Sequence, residues 1–234
     1  MKPERYGNML EINVTDACQL DCSHCNRLCG VAPSNNHISV DKIEKLCSEI
    51  PHIDQICIAG GDPMMHPNIE QIVKIIVNSG KADNIRLLTN GVSLTEYYNE
   101  LAEKYGLEAW NSGKDKTPPE HNLLMTVAPV DVNLYGVKPI ESCDILSRCG
   151  IGYSEDGYYP CCISAAIGRV FGIKGAQSWE EFGEEAYMEL LDKTCRYCGY
   201  YLTSKVNTIL PEFNYPKDMM TVSWKEAIRR YNAK

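Results

Sequence analysis

The sequence lacks the features that would assign it to a membrane, to nucleic acid or to the outside of a cell. No segment approaches the roughly 18 uninterrupted apolar residues of a membrane span. There is no run of lysine and arginine able to track a phosphate backbone. The balance is acidic, with 23 Lys and Arg against 31 Asp and Glu, a net charge of −8 and a pI near 5.2, so nucleic acid is not an expected partner. Met1–Tyr6 leads straight into a strand-like segment without an apolar stretch and small-residue cleavage site, and the expected location is cytoplasmic. No internal repeat or low-complexity tract is present, which excludes a solenoid. Cysteine, by contrast, is abundant. Twelve occur in 234 residues, and without an export signal they point to metal or redox chemistry rather than to structural disulfides.

With 44% hydrophobic residues the chain can bury a main core plus a small appendage. Apolar runs rich in β-branched residues alternate with amphipathic ones. Met9–Val14, Gln55–Ala59 and Asn84–Thr89 read as strands, and Ser39–Ile50, Pro67–Ser79 and Ser93–Tyr105 as helices, a repeated βα unit. Ser39 and Ser93 stand where N-caps belong, Ser93 with Glu96 as a capping box, and Gly80 and Gly106 stand at helix ends. Leu107–Trp110 and Asn122–Ala128 read as two further strands, separated by the Gly113–Glu120 loop. Four or five strands are too few for a closed eight-stranded barrel. The expectation is an α/β fold, a partial (β/α) barrel with parallel strands over residues 1–140. From Glu141 the composition changes, and six of the twelve cysteines fall between Cys143 and Cys198. Ile151–Ser154 and Tyr158–Pro160 read as a β-hairpin turning at Gly157, and Trp179–Leu191 as a helix. Residues 141–200 are therefore expected to form a small cysteine-rich domain, with 201–234 a tail of unassigned role.

Directly after the first strand stand Cys18, Cys22 and Cys25, a C-x3-C-x2-C triplet in a βα loop, where active sites of α/β barrels collect. Three thiolates so spaced can hold three corners of an iron–sulfur cube and leave the fourth iron open. The alternative is zinc bound by these cysteines and His24. Cys29, Cys47 and Cys57 read as buried space-filling cysteines.

On this triplet the chain resembles the radical S-adenosylmethionine (radical SAM) superfamily, with His24 where that family usually has an aromatic residue. Gly60-Gly61-Asp62-Pro63 after the second strand is similar to the family's Gly-Gly-Glu-Pro, with Asp62 one methylene short. Thr89-Asn90-Gly91 after the third resembles its Thr-Asn-Gly. The resemblance implies a [4Fe–4S] cluster whose open iron is chelated by S-adenosylmethionine. An electron from a flavodoxin- or ferredoxin-type donor then yields a 5′-deoxyadenosyl radical that removes a substrate hydrogen. It implies cofactor contacts at Gly60, Gly61, Asp62, Pro63, His24, Thr89 and Asn90, with Asn111 or Ser112 on the fourth strand against the ribose and carboxylate.

The C-terminal region resembles the twitch domain, the shortened SPASM domain that holds an auxiliary [4Fe–4S] cluster. That resemblance implies ligands Cys149, Cys161, Cys195 and Cys198, with Cys143 the first substitute and Cys162 the second; a structural zinc site is the alternative. A partial barrel with a twitch domain resembles the 2-deoxy-scyllo-inosamine dehydrogenase class. This implies oxidation of a small polar, sugar- or aminocyclitol-like substrate with the auxiliary cluster as electron acceptor. Two other readings are modification of a ribosomal peptide, with Cys29 or a spare C-terminal cysteine as hydrogen donor, and a non-catalytic zinc or electron-transfer protein. No general base is assigned; Arg148, Arg169 and Tyr135 are the candidates for substrate contact. An open cluster implies oxygen sensitivity: aerobic purification should bleach the protein, and a colourless aerobic preparation with full activity would refute the cluster.

Overall fold

A computed structural model describes residues 8–22, 25–93, 95–114, 124–133, 143–200 and 220–233. His24 and Tyr135 lie outside the described residues. Six strands form one sheet in the order β4-β3-β2-β1-β5-β6. They are β1 (Met9–Asn13), β2 (Ile53–Ala59), β3 (Ala82–Thr89), β4 (Glu108–Asn111), β5 (Ile151–Ser154) and β6 (Gly157–Tyr159). All neighbours pair in parallel except β5 with β6. Helices α1 (Val40–Glu49), α2 (Ile69–Ser79) and α3 (Glu96–Tyr105) make the βα crossovers. This is the expected open, mostly parallel α/β sheet. The hairpin β5–β6 continues it, because β5 pairs with β1 through Leu10 opposite Ile151 and Ile12 opposite Tyr153.

Strand alternation divides the sheet into two chemically distinct faces. One lateral row runs Tyr153, Ile12, Ile58, Leu87, Ala109. Apart from exposed Ala109, it belongs to a core shared with Ile43 and Leu46 of α1, Ile72, Val73 and Ile76 of α2 and Tyr98 and Leu101 of α3, and Tyr98 donates to the Leu87 carbonyl at 3.0 Å. The neighbouring row points the other way: Gly152, Glu11, Cys57, Arg86, Glu108. That polar row lines the face away from the crossover helices.

Helix ends follow the expected chemistry at Ser39, which accepts from Lys42 N at 3.3 Å, and at Gly80 and Gly106, which take left-handed conformations. The cap of α3 is Thr95, not Ser93: Thr95 Oγ1 accepts from Tyr98 N at 3.3 Å, while Ser93 Oγ accepts from Gln19 Nε2 at 2.7 Å. The strand expected over Asn122–Ala128 is not formed in its described part. Residues 124–128 are a buried turn, with Val127 N donating to Leu124 O, so the apolar run reflects burial rather than sheet pairing. The helix expected at Trp179–Leu191 starts later, as α6 (Glu184–Cys195). Sequence patterning missed α5 (Cys162–Phe171) altogether. Its residues from Cys162 to Gly168 are all buried, and its start directly after the β5–β6 hairpin, within the cysteine-rich stretch, hid it from the pattern reading. Two more helices are α4 (Ile145–Arg148) and α7 (Val222–Tyr231). Among the described residues no helix is long and apolar enough to cross a membrane.

Gly150, which joins Cys149 to β5, has φ of +61° and a position where a Cβ would lie 2.1 Å from the Met9 carbonyl oxygen. Gly80, at φ +59°, has open space around it. Gly80→Ala should cost about 1 kcal/mol from backbone strain alone, whereas Gly150→Ala should cost clearly more, because β5 must shift off β1. Denaturant midpoints of the two variants check this ordering.

Candidate active site

The site is built where three βα loops meet at the carboxyl ends of β1, β2 and β3. Past β1, Gly61 N donates to Thr15 O at 2.7 Å and Asp62 N to Ala17 O at 2.9 Å, so the loop after β2 is laced to the segment entering the cysteine triplet. A Cβ on Gly60 would stand 2.6 Å from Thr15 O, and one on Gly61 2.2 Å from Ala17 O. Both glycines are therefore required by this close approach. Pro63 opens a short 3₁₀ turn (Pro63–Met65) that Asp62 caps by accepting from Met64 N at 3.2 Å.

Gln19, inside the triplet, ties all three loops. Its Nε2 donates to Asp62 Oδ2 (2.8 Å) and Ser93 Oγ, and its Oε1 accepts from Asn90 Nδ2 (3.2 Å). Asn90 Nδ2 also donates to Cys18 Sγ at 3.4 Å, as does Leu20 N. Thr89 Oγ1 donates to the Asp62 carboxylate at 3.5 Å. The Asp62 carboxylate is thus held by Gln19, Met64 and Thr89, and its side chain serves the loop junction. Ser112 donates to Thr89 O through both N and Oγ, at 2.9 and 3.0 Å. Exposed Asn111 accepts from Gly113 N.

The thiols of the first loop are close together. Hydrogen bonding from Cys29 pulls Cys18 down to about 7 and Cys25 down to about 6 against their burial. Burial, with the nearby Cys25, pushes Cys22 up. Cys29 lies within hydrogen-bonding reach of both Cys18 and Cys25, although its burial matches a space-filling role. Amide N–H donors aimed at the Cys18 sulfur suit a thiolate that ligates an iron–sulfur cluster. Gly60 and Gly61 let the loop after β2 pack onto Thr15 and Ala17, beside the triplet. The chain's donor set therefore fits an iron–sulfur cluster, whose open iron would be the place for S-adenosylmethionine.

Two arginines absent from the expected cofactor site organise this loop. Arg169 of α5 donates through Nη1 to Ala32 O (2.8 Å) and Tyr231 Oη (2.6 Å), through Nη2 to Arg27 O (3.0 Å), and pairs with Asp16 at 3.5 Å. It is consumed by these contacts. Arg27 is ion-paired to Glu11 on the polar face of β1 and hydrogen-bonded to Cys162. Arg148, by contrast, pairs with Asp144 on the surface.

The six C-terminal cysteines form two overlapping groups, joined where Cys162 faces Cys161 and Cys143. Cys195 lies in the field of Cys198, Cys161 and Cys143, and burial pushes it well up. Burial raises Cys161 as well, with Cys162 and then Cys198 nearby, while its sulfur accepts from Ser164 N at the start of α5. Cys149 and Cys162 form the second group: their sulfurs and a Glu11 carboxylate oxygen lie within 4.8 Å of one another. Cys162 is drawn down to about 5 by the Cys149 thiol, against burial, with help from Arg27. The packing reason is visible at Gly152, where a Cβ would meet Cys161 O at 2.6 Å and Cys162 N at 2.8 Å. The chain after β6 thus lies directly on the polar face.

The family model for the radical SAM superfamily matches residues 12–132. A probable GTP 3′,8-cyclase of Methanothermobacter thermautotrophicus is 28% identical over 79% of this chain and 64% of its own length. The GTP 3′,8-cyclase of Syntrophomonas wolfei is 32% identical over 51% of this chain and 37% of its own. The chain thus spans between about one third and two thirds of these relatives. Among solved structures, BtrN in complex with AdoMet and 2-DOIA aligns over 85% of this chain and 89% of that one, with a TM-score of 0.51 and 14% identity, a likeness of fold. If Gln19 locks the three loops as its bonds indicate, Gln19→Ala should weaken S-adenosylmethionine binding on the order of tenfold, the equivalent of one lost hydrogen bond of about 1.4 kcal/mol, as measured by anaerobic titration calorimetry.

Proposed function

The chain belongs to the radical SAM superfamily, and within it we propose that it oxidises a carbinol carbon of a small polar, sugar- or aminocyclitol-like substrate, passing the second electron to an auxiliary [4Fe–4S] cluster. The observation that carries this reading is the group of buried Cys161 and Cys198 with half-buried Cys143 and Cys195, which we assign as the auxiliary ligands. We place Cys143 rather than Cys149 in that set because Cys195 lies in the field of Cys143, whereas the Cys149 thiol is hydrogen-bonded to Cys162.

When bound, the groups supply a 5′-deoxyadenosyl radical at the first loop and an electron acceptor at the C-terminal cysteines. The chain's part is binding and orientation. Cys18, Cys22 and Cys25 hold the first cluster, with Asn90 Nδ2 and Leu20 N fixing the Cys18 sulfur. Gly60 and Gly61 let their loop pack onto Thr15 and Ala17, and Gln19 keeps that loop in register with Thr89 and Asn90. Lys114 N donates to Asn90 O at 2.9 Å, and its charge favours the Cys22 and Cys25 thiolates. Conversion of the carbinol to a ketone would remove one hydrogen atom, one proton and one electron, and a cluster held by the C-terminal cysteines would supply the acceptor for that electron.

The polar face favours this substrate class over a nucleoside triphosphate, the kind of substrate named for the cyclase relatives. Its two described guanidiniums are each met by a carboxylate: Arg27 by Glu11, and Arg86 by Glu108 at 2.8 Å. A triphosphate calls for several unpaired cations, whereas hydroxyl and amino groups suit a wall of balanced charge.

Anaerobic reconstitution with iron and sulfide should give about eight irons per chain and form 5′-deoxyadenosine on addition of S-adenosylmethionine and reductant. Cys143→Ser should lose about four irons and Cys149→Ser none. A panel of aminocyclitols and sugar alcohols should yield a ketone in step with 5′-deoxyadenosine. About four irons in the unaltered protein, or zinc in place of iron, would reject the auxiliary cluster.

A further inference from the structure

Cys29 stands four residues beyond the triplet, and its position is the result of an unusual backbone. Leu28 is buried and adopts φ of +61°, a left-handed conformation that is rare for a bulky residue and persists only where surroundings enforce it. Here the enforcement is identifiable. Leu28 N donates to Cys25 O and Ala32 N to Leu28 O, each at 2.9 Å, and the Arg169 guanidinium grips the carbonyls of Arg27 and Ala32 on either side of Cys29. Gly30 completes the fold-back, since a Cβ there would lie 2.3 Å from Asp21 Oδ1 and 3.1 Å from Cys22 O. The consequence is that the Cys29 thiol is turned back onto Cys18 and Cys25, within hydrogen-bonding reach of both. A space-filling cysteine would need neither the strained turn nor the contact with two ligand sulfurs.

We infer that Cys29 is an exchangeable fourth thiolate of the first cluster, occupying the open iron until S-adenosylmethionine displaces it; this rests on the assignment of Cys18, Cys22 and Cys25 as cluster ligands. Room for the displaced side chain is present. A cavity of about 180 Å³, lined by Asp16, Cys18, Cys29, Pro33, Ser34 and Asn35, opens beside it. The exchange balances without a change of oxidation state. The iron–Cys29 sulfur bond breaks, bonds to the amino nitrogen and a carboxylate oxygen of S-adenosylmethionine form, and the proton lost by the incoming ammonium is matched by the one taken up by the leaving thiolate. Cys29 would thus cap a reactive iron in the resting protein and set a threshold for cofactor binding.

The test is mild ferricyanide oxidation of the full-length, anaerobically reconstituted protein without S-adenosylmethionine, read by electron paramagnetic resonance for the three-iron cluster left when an open iron is lost. Four-thiolate cubes resist this loss. Cys29→Ala and Cys29→Val should both give a three-iron signal several times that of the unaltered protein. They should also bind S-adenosylmethionine about tenfold more tightly, as when the competent state is populated about a tenth of the time in the unaltered chain. Equal signals and equal affinities would overturn the inference. So would loss of the whole first cluster from both variants, which would make Cys29 a permanent ligand. Absence of iron at the triplet of the unaltered protein, read by comparing its iron content with that of the Cys18, Cys22 and Cys25 triple alanine variant, would overturn the ligand assignment itself and the inference with it.

Discussion

Thiolates set side by side in a poorly solvated loop repel one another, and burial penalises each of them. The layout around Cys18, Cys22 and Cys25 answers that cost in two ways. N–H donors from Leu20 and Asn90 point at the Cys18 sulfur, and the charge of Lys114 favours the other two thiolates. The loop is also prevented from opening, which would relieve the repulsion by scattering the thiols. Arg169 holds it from outside through two backbone carbonyls, and Asp16 offsets the buried guanidinium that does so. Burial pushes Asp16 up and the neighbouring Arg169 draws it down, so the clasp is itself a compromise between desolvation and pairing.

A second charge problem arises on the polar face. Glu11 lies in mid-strand and is almost fully buried, where an unpaired carboxylate would be costly. Arg27 meets it, and Arg27 comes from the cysteine loop. Burial works against the Arg27 charge, and the Cys162, Cys149 and Cys29 sulfurs hold it in place. One guanidinium thus touches the first strand, the first cysteine loop and the C-terminal cysteines. Removing it would leave several buried groups uncompensated at once, so its loss would be felt well beyond one ion pair.

Much of this was legible in the sequence where the information is local. The triplet, Gly60–Pro63 and Thr89–Gly91 each follow a strand with strong β-branched patterning, and their places at the strand ends come from βα alternation alone. What was not legible depends on distant partners. Gln19 sits inside the triplet with no signal of its own, and its role appears only when Asp62, Asn90 and Ser93 are brought to it. Arg169 could be named as a candidate but not given its task, because the carbonyls it holds are more than 130 residues away. Helix α5 escaped because it begins immediately after the hairpin, at Cys162, inside a stretch read for its cysteines. Six cysteines offer several ligand sets, because spacing along the chain does not say that the Cys149 and Cys162 thiols meet Glu11.

Packing at Gly152 links the two cysteine groups mechanically. β5 is hydrogen-bonded to β1, the cysteine triplet follows β1, Cys149 stands just before β5 and Cys161 just after β6. The register between two adjacent strands therefore fixes how the first loop faces the C-terminal cysteines, and Arg27 and Arg169 cross the interval in opposite directions. Arg27 reaches from the loop to Cys162, and Arg169 reaches from α5 back to the loop. A shift of β5 by one residue would reverse its faces, carry Tyr153 to the polar side and break both arginine contacts together. The geometry between the two cysteine groups is thus carried by the most strongly specified element of the fold, a buried parallel strand pair, while the loops on top of it hold the reactive sulfur.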